Sequence, residues 1–407
     1  DRTVSNTRVL RRALSYASTF GALVVGHAED PDLTENTAAT AGEYATRMGL
    51  PAAPALAEGP QFKIDHSWPK LPLPNKWALG ELGGMFIDAQ DHVWIVHRPG
   101  ALNAKEIYAA QNPPAAICCK PAPPVLEFDA AGNLLHAWGG PPTDPNPGYK
   151  WPASNHGITV DFKGNVWIGG NDPSDTQVLK FTQEGKFLMR IGGGESKGSN
   201  DTANLHRAAK IFVDPEANEA YIADGYGNKR VIVFDADTGQ YKRHWGAYGH
   251  KPDDANLGPY KPSDPPAQQF RNPVHCADMS VDRLIYVCDR VGDRLQVFTP
   301  DGKFVKEGFF AKNTKGAGSA WDIAFSRDPQ QRYIFMADGV NEKVHVIERQ
   351  TLQEVTAFGD GGRQPGQFFG VHSIAIDSQG NLYVTETYEG KRVQKFVYKG
   401  TVQVPVK

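Results

Sequence analysis

Short stretches rich in apolar residues, separated by Gly, Asn and Asp, recur from about residue 60 to residue 400. In one unit, residues 157–161, 163–168, 177–181 and 185–188 have the lengths and the bounding turn residues of four short strands. β-Branched and aromatic residues dominate these stretches, as is typical of antiparallel strands. The pattern therefore predicts an all-β structure over this part of the chain.

This four-strand unit recurs along the chain, and internal repeats of this length indicate a propeller or a solenoid. The clearest stretches of its six copies are residues 85–96, 157–168, 211–224, 284–298, 322–347 and 373–396. Copies of about forty to seventy residues, with four strands each, predict a six-bladed β-propeller. The last copy supplies only three clear strands, and residues 61–64 could supply the fourth and so close the ring.

Residues 1–58 follow a different pattern, and we interpret them as an extension ahead of a propeller over residues 59–407. Helical spacing over residues 6–20 and 37–48, with a short strand over residues 22–25, predicts a small α/β or partly disordered segment.

Two pieces of this extension, residues 22–31 and 42–51, resemble a fragment of the dihydroorotase-type amidohydrolases. In that family the histidine that matches His27 is a metal ligand. The other ligands lie on further strands of a barrel of about 250 residues, which a chain that becomes a propeller by residue 60 cannot provide. Because one ligand does not make a metal site, we expect a remnant, a fused fragment or a gene-model join.

The charge balance excludes some partners. Lys and Arg number 43 against 46 Asp and Glu, so no basic excess is available for a nucleic acid or a membrane surface. No apolar run approaches the roughly 20 residues of a membrane helix. We expect a monomer that binds a small-molecule or peptide-like substrate.

Four cysteines in so long a chain are too few for a disulfide framework. Cys276 and Cys288 lie one hairpin apart and could pair. For the adjacent Cys118 and Cys119, two free loop thiols are expected rather than a vicinal disulfide or ligation of a soft metal.

The chain opens on Asp1 without a basic head and an apolar core, so we expect that a targeting signal was removed or was never present. The compartment stays open, with the periplasm or secretion favoured over the cytoplasm.

Three histidines occupy one register of the repeat. Counting five residues back from the Asp or Ser that ends each innermost strand gives Gly83, His156, Ala209, His275, Trp321 and His372. Since innermost strands line the channel of a propeller, histidines in copies two, four and six would face one point on the axis. Three neutral imidazoles with an open fourth position suit a catalytic Zn²⁺, and Fe or Mn are alternatives because ligand type alone does not settle the metal. The alternative for each histidine taken singly is a hydrogen-bonded packing residue.

The ends of the second strands give another register, whose side chains should point into the mouth of the channel. Arg98, Tyr226 and Arg290 stand there. Two guanidiniums could hold a substrate carboxylate or stabilise an oxyanion, and a tyrosine beside a metal could act as general base. Interblade salt bridges and rim packing are the structural alternatives for these residues.

Several motifs resemble known families. Gly366-Gln367-Phe368, followed by two apolar strands, is similar to NHL repeats. The stretches that resemble peptidyl-α-hydroxyglycine α-amidating lyases are His156-Gly157-Ile158, His275-Cys276-Ala277, His372-Ser373-Ile374, Asp224-Gly225-Tyr226-Gly227-Asn228, His97-Arg98-Pro99 and Cys288-Asp289-Arg290. The resemblance implies zinc on the three histidines, Tyr226 as catalytic base and two active-site arginines. It also implies cleavage of a carbinolamide to an amide and an aldehyde such as glyoxylate.

The sequence departs from that family at three places. The family's structural Ca²⁺ is held by carbonyls that match Met85 and Ile158 and by an acidic residue where Ser373 stands, which puts calcium in doubt. Gly227 replaces a cysteine of the family's disulfide, and an insertion over residues 99–124 would reshape the mouth. The substrate could therefore differ from a peptide.

Two other functions remain as alternatives. A metal-dependent hydrolase such as a lactonase would be expected to have several acidic or Asn ligands on the channel rather than three histidines. A non-catalytic NHL scaffold would bind partners with its rim and has no need of histidines in alternate blades.

Overall fold

The protein is described by a computed structural model that covers residues 39–40, 52–53 and 56–405. Six four-stranded antiparallel sheets follow one another along the chain, and the first strands of neighbouring sheets contact each other in a closed ring. The predicted six-bladed all-β propeller is confirmed. The described part of the chain contains no α-helix, and none of its helices is long and apolar enough to cross a membrane.

The strands run from the axis outward in each blade. Blade 1 contains Glu81–Ile87, Val93–Arg98, Val125–Phe128 and Leu134–Trp138. Blade 2 contains Asn155–Val160, Val166–Gly170, Gln177–Phe181 and Phe187–Gly192. Blade 3 contains Lys210–Asp214, Glu219–Asp224, Arg230–Asp235 and Tyr241–Trp245. Blade 4 contains Val274–Met279, Ile285–Asp289, Arg294–Phe298 and Phe304–Phe309.

The last two blades follow the same order. Blade 5 contains Asp322–Phe325, Tyr333–Asp338, Lys343–Glu348 and Gln353–Phe358. Blade 6 contains Val371–Ile376, Leu382–Glu386, Val393–Pro405 and, as its outermost strand, Leu56–Asp65. The short 3₁₀ helices are Pro74–Lys76, Pro99–Ala101, Tyr108–Ala110, Ala247–Gly249 and Arg290–Gly292, and Trp77–Ala78 pairs in parallel with Lys120–Pro121.

An aspartate at the end of the innermost strand fixes the first hairpin in three of the blades. Asp88, Asp161 and Asp377 each accept hydrogen bonds from the backbone N–H groups two and four residues further on. The other carboxylate oxygen accepts from a buried aromatic side chain on the second strand, namely Trp94, Trp167 and Tyr383 respectively. This repeated arrangement stabilises a tight turn between the first two strands, and it explains why the aspartate is a reliable marker of register.

Blade 6 joins the two ends of the described chain. Its outermost strand contains residues 61–64, so the expectation that these residues close the ring is confirmed. Phe62 packs against Phe335 of blade 5 at 5.4 Å between ring centroids, and against Phe358 and Tyr398 at 5.5 and 5.9 Å. The closing strand therefore holds blades 5 and 6 together through an aromatic cluster as well as through the sheet.

Most of the N-terminal predictions lie outside the described residues, including residues 6–20, residues 22–25 and His27. Within the predicted helix over residues 37–48, Ala39–Thr40 form a short strand that pairs in parallel with Ala52–Ala53. The helix prediction was wrong at these two residues, because strand pairing outweighs local helical spacing. The chain divides into two units, Gln61–Gly400 and Asp1–Pro60 with Thr401–Lys407.

Both cysteine pairs are disulfides. Cys276 faces Cys288 across the first two strands of blade 4 and is bonded to it. Cys118 is bonded to Cys119 in the insertion, so the expectation of two free thiols was wrong. Spacing alone could not decide this case, since the pairing of neighbouring cysteines depends on the backbone of their loop.

Removal of the Phe62 ring should weaken ring closure. We expect Phe62→Ala to lower the free energy of unfolding in urea by about 2 kcal/mol, because a half-buried ring in an aromatic cluster is lost. Lys63→Ala, on the exposed face of the same strand, should stay within about 0.5 kcal/mol of the wild type. Equal unfolding midpoints for all three proteins would show that the strand contributes nothing to closure.

Candidate active site

Three imidazoles meet at the axis of the propeller. His156, His275 and His372 lie on the innermost strands of blades 2, 4 and 6, and each is at most 3% exposed. One nitrogen of each ring lies within 4.8 Å of the other two, and the ring centroids are 4.8 to 5.0 Å apart. The structure brings these side chains together, and they form a cluster that could hold a metal ion. Binding of a metal there stays a prediction.

A local irregularity accompanies each histidine. The pairing of the first two strands shifts register between Asn155 and Ile158, between Val274 and Cys276, and between Val371 and Ile374. The corresponding strands of blades 3 and 5 pair without a shift. A bulge re-aims a side chain and is a common feature next to functional sites. Blade 1 has the same shift, between Leu82 and Gly84, so the irregularity accompanies each histidine but is not confined to the histidine blades.

Backbone carbonyls at the start of the next blade orient two of the rings. Nδ1 of His156 donates to the carbonyl oxygen of Ala209 at 2.7 Å, and Nδ1 of His275 donates to that of Trp321. Because a carbonyl only accepts, each Nδ1 carries the proton and each Nε2 keeps its lone pair. His372 has a buried Nδ1 for which no hydrogen-bond partner is found among the described residues.

Blade 1 contributes a glycine to the same register. A Cβ atom on Gly83 would lie 2.4 Å from the carbonyl oxygen of Asn155 and 2.9 Å from Cα of His156. Only glycine fits where the strand that carries His156 comes this close. The absence of a side chain at Gly83 thus follows from the position of the histidine strand.

The electrostatic environment keeps the three rings neutral. Burial lowers the pKa of His156, His275 and His372 well below the usual histidine value, and the positive charges of Arg98 and Arg290 add to the effect. Neutral imidazole is the form that ligates a metal ion. Three buried, neutral rings, two with an unprotonated Nε2 and one with a nitrogen that has no partner among the described residues, fit a transition-metal ion such as Zn²⁺.

Tyr226 lies directly at this cluster. Its hydroxyl oxygen is 3.0 Å from Nε2 of His156 and 3.0 Å from Nε2 of His275. Arg290 donates from Nη1 to the same oxygen at 3.0 Å, and its guanidinium lies 4.5 Å from the centroid of the Trp321 ring. The predicted Tyr226 and Arg290 are therefore in contact with each other and with the histidine cluster.

Arg98 is held beside the cluster rather than in it. It donates to Glu81 at 2.9 Å, to the carbonyl oxygen of Asn155 at 3.0 Å and to Asn171 at 3.3 Å. The ion pair with Glu81 joins two strands of blade 1, so it is a salt bridge within one blade and not the interblade salt bridge that was the structural alternative. Asn155 immediately precedes His156, so Arg98 also fixes the backbone of a candidate ligand.

Two basic residues of the site were not found from the sequence. Arg207 lies over the Tyr226 ring at 5.6 Å and donates from Nε to the carbonyl oxygen of Asn171 at 2.7 Å. It belongs to the irregular segment before blade 3, where no periodic pattern marks a residue as facing the channel. Lys210 is the first residue of the innermost strand of blade 3 and lines the channel. The sequence of this strand alone does not distinguish it from an ordinary lysine at a strand end.

The position considered for calcium contains an ammonium group. Lys210 bonds Asp278 at 2.8 Å and Asp322 at 2.5 Å. Together with Met85, Ile158 and Ser373, it lines a cavity of about 10 Å³ directly beside the imidazoles. A second cation there would be repelled by the ammonium and would find the carboxylates already paired. These residues therefore do not fit a calcium ion.

We expect the protein to be calcium-independent for this reason. Elemental analysis should find no stoichiometric calcium, and the Tm should not change when millimolar Ca²⁺ is added to dialysed protein. Lys210→Met should lower the Tm by about 5 °C or more, because two buried carboxylates lose their partner. Lys303→Met, at a side chain that is 80% exposed, is the control and should leave the Tm unchanged. Bound calcium whose removal lowers the wild-type Tm would contradict this.

No protein-family model matches the chain. Peptidyl-glycine alpha-amidating monooxygenase B of Xenopus laevis is 29% identical over 153 residues, which are 37% of this chain and 16% of that protein. The chain thus spans less than a fifth of the amidating monooxygenases that it matches. Peptidyl-alpha-hydroxyglycine alpha-amidating lyase 1 of Drosophila melanogaster is 24% identical over 88% of this chain and 66% of its own length.

NHL repeat-containing protein 3 of Mus musculus is 24% identical over 84% of this chain and 85% of its own length. Virginiamycin B lyase from Staphylococcus aureus, a solved structure, covers 86% of this chain and 89% of its own at 12% identity and a TM-score of 0.46, a likeness too low to carry an argument. The chain is a six-bladed β-propeller that resembles NHL-repeat proteins and the peptidyl-α-hydroxyglycine α-amidating lyases in sequence, as the motifs predicted.

Proposed function

We propose that this protein is a metal-dependent lyase that cleaves a carbinolamide to an amide and an aldehyde. The observation that carries the proposal is the position of one hydroxyl oxygen. Tyr226 Oη lies 3.0 Å from two imidazole Nε2 atoms and 3.0 Å from a guanidinium nitrogen. A base, a set of metal ligands and a cationic group thus meet at one point of the channel.

The residues that would hold the metal are His156, His275 and His372. A Zn²⁺ ion bound there, or Fe or Mn, would act as a Lewis acid toward a substrate oxygen and lower the pKa of a substrate hydroxyl.

Tyr226 is the proposed base. As the phenolate, its oxygen takes the proton of the substrate hydroxyl, and the C–O bond becomes a carbonyl. The C–N bond breaks, its electron pair goes to the nitrogen, and the nitrogen receives the proton back from Tyr226. No oxidant or reductant is consumed, and the tyrosine returns to its starting state. The guanidinium of Arg290 faces the oxygen that carries the negative charge, which is the arrangement that electrostatic catalysis requires.

The other guanidiniums suit an anionic substrate group. Arg207 uses Nε for Asn171, and among the described residues no partner is found for its two terminal nitrogens. Arg98 has much of its charge offset by Glu81. A substrate carboxylate, as in an α-hydroxyglycine, would gain a planar pair of donors from Arg207 in particular.

The two disulfides are in keeping with the periplasmic or secreted location that we propose.

Metal content gives the first test. We expect about one equivalent of Zn, Fe or Mn in the purified protein. A variant with His156, His275 and His372 changed to Ala should lose it, whereas His250→Ala, at an exposed histidine, should retain it. Circular dichroism checks that the triple variant is folded. Wild-type protein that binds no metal even after reconstitution would overturn the lyase proposal and favour a scaffold.

Loss of the tyrosine hydroxyl gives the second test. With N-benzoyl-α-hydroxyglycine as substrate, Tyr226→Phe should lower kcat for glyoxylate release by about 100-fold or more, because the proton acceptor is gone. Metal content should not change. Tyr241→Phe, at a tyrosine that is 39% exposed on the outermost strand of blade 3, is the control and should retain activity. An unchanged kcat in Tyr226→Phe would remove this residue from the mechanism.

A further inference from the structure

A groove of about 800 Å³ opens beside the candidate active site. Arg98 and Asn155 line its inner end. The rest of the lining comes from the loop that joins blade 1 to blade 2 and from the insertion between the second and third strands of blade 1. Arg98 donates to the carbonyl oxygen of Asn155, and Asn155 precedes His156. The inner end of the groove therefore lies beside the residue that precedes a candidate metal ligand, and the volume of the groove is within the range of small-molecule sites.

The walls of the groove are apolar and rigid. Six prolines line it, namely Pro99, Pro124, Pro141, Pro142, Pro147 and Pro152. Trp151 packs from behind on Trp138 and Phe181, at 6.3 and 5.7 Å between ring centroids, and Tyr149 is stacked on Phe187 at 4.6 Å. Fixed proline rings and packed aromatic rings form a site that loses little entropy when a ligand binds.

The same walls are poor in hydrogen-bond donors. Proline has no backbone N–H, so these six positions cannot pair with the carbonyl groups of an extended peptide. Apart from Arg98, the charged side chains of the lining are Asp144 and Lys150, and both are exposed. A ligand with many backbone amides would bury those amides without hydrogen-bond partners in this groove. An apolar chain has no such groups, so its burial has no such cost.

We infer that the groove binds the acyl part of the substrate, and that this part is an apolar acyl group without a peptide backbone. The inference rests on the proposed function, because it takes the imidazole cluster as the reaction centre. The scissile C–N bond would lie at the cluster, the carboxylate at the guanidiniums, and the acyl chain would extend past Arg98 along the proline walls. Substrates would then be N-acyl-α-hydroxyglycines whose acyl group is aliphatic or aromatic.

Chain length is the variable that tests this assignment. N-octanoyl-α-hydroxyglycine should be cleaved with a kcat/KM about 50-fold higher than N-acetyl-α-hydroxyglycine, since each of the added CH₂ groups contributes about twofold when it is partly buried. An N-acetyl-dipeptidyl-α-hydroxyglycine of similar length should show no such gain. The unreactive N-octanoylglycine should also bind more tightly than N-acetylglycine in calorimetry.

A charge placed in the groove distinguishes a failure of the groove assignment from a failure of the lyase proposal. Pro142→Asp should remove the advantage of the octanoyl substrate, so that its kcat/KM falls to about that of the acetyl substrate measured with the same variant. Pro145→Asp, an exposed proline of the same loop that does not line the groove, is the control and should behave like the wild type. If the acetyl substrate is turned over and the octanoyl group brings no gain, the groove assignment is wrong and the lyase proposal stands. If neither substrate is cleaved by metal-loaded protein, the lyase proposal itself fails.

Discussion

The site depends on how closely the innermost strands of neighbouring blades approach each other around the axis. His156 and His275 donate their Nδ1 protons to carbonyl groups at the start of the next blade. The contacts between blades that close the propeller therefore also orient these imidazoles. The same closeness excludes a side chain at Gly83 and buries all three imidazoles. Burial in turn keeps the rings neutral. A propeller with looser blades would lose the orientation of the rings and their neutral state together.

Charge is distributed along the channel in a way that follows from this burial. Below the imidazoles, the ammonium of Lys210 bonds both Asp278 and Asp322, so the two acids already share a cationic partner. At the mouth, Arg207 and Arg290 approach Tyr226 from two blades, and only Arg98 has a carboxylate partner there. The mouth is therefore positive, and the acids of the floor already have a cationic partner, which favours an anionic group at the mouth over a further cation at the floor.

The repeats made the fold and the three histidines predictable, because an Asp or a Ser, Ser280 in blade 4, marks the end of the innermost strand five residues after the channel position. Tyr226 and Arg290 were found for the same reason, since they follow second strands at matching positions. Arg207 lies in an irregular segment that no period describes. Lys210 could not be assigned from one strand, because its partners belong to two other blades. The bond between Cys118 and Cys119 depends on a loop conformation that composition does not encode.

The imidazole cluster and the groove differ in how freely their residues can change without disturbing the fold. The imidazoles are held by strands that contact both neighbouring blades, so a change in one of them disturbs the whole ring. The groove belongs to the loop between blades 1 and 2 and to the insertion within blade 1, which connect strands without closing the ring. Prolines there give a loop the rigidity that the strands have from their hydrogen bonds. Selection for a different acyl group could therefore act on the loops while the proposed reaction centre stays fixed. For this reason the groove, rather than the axis, is where the substrate of this protein would be determined.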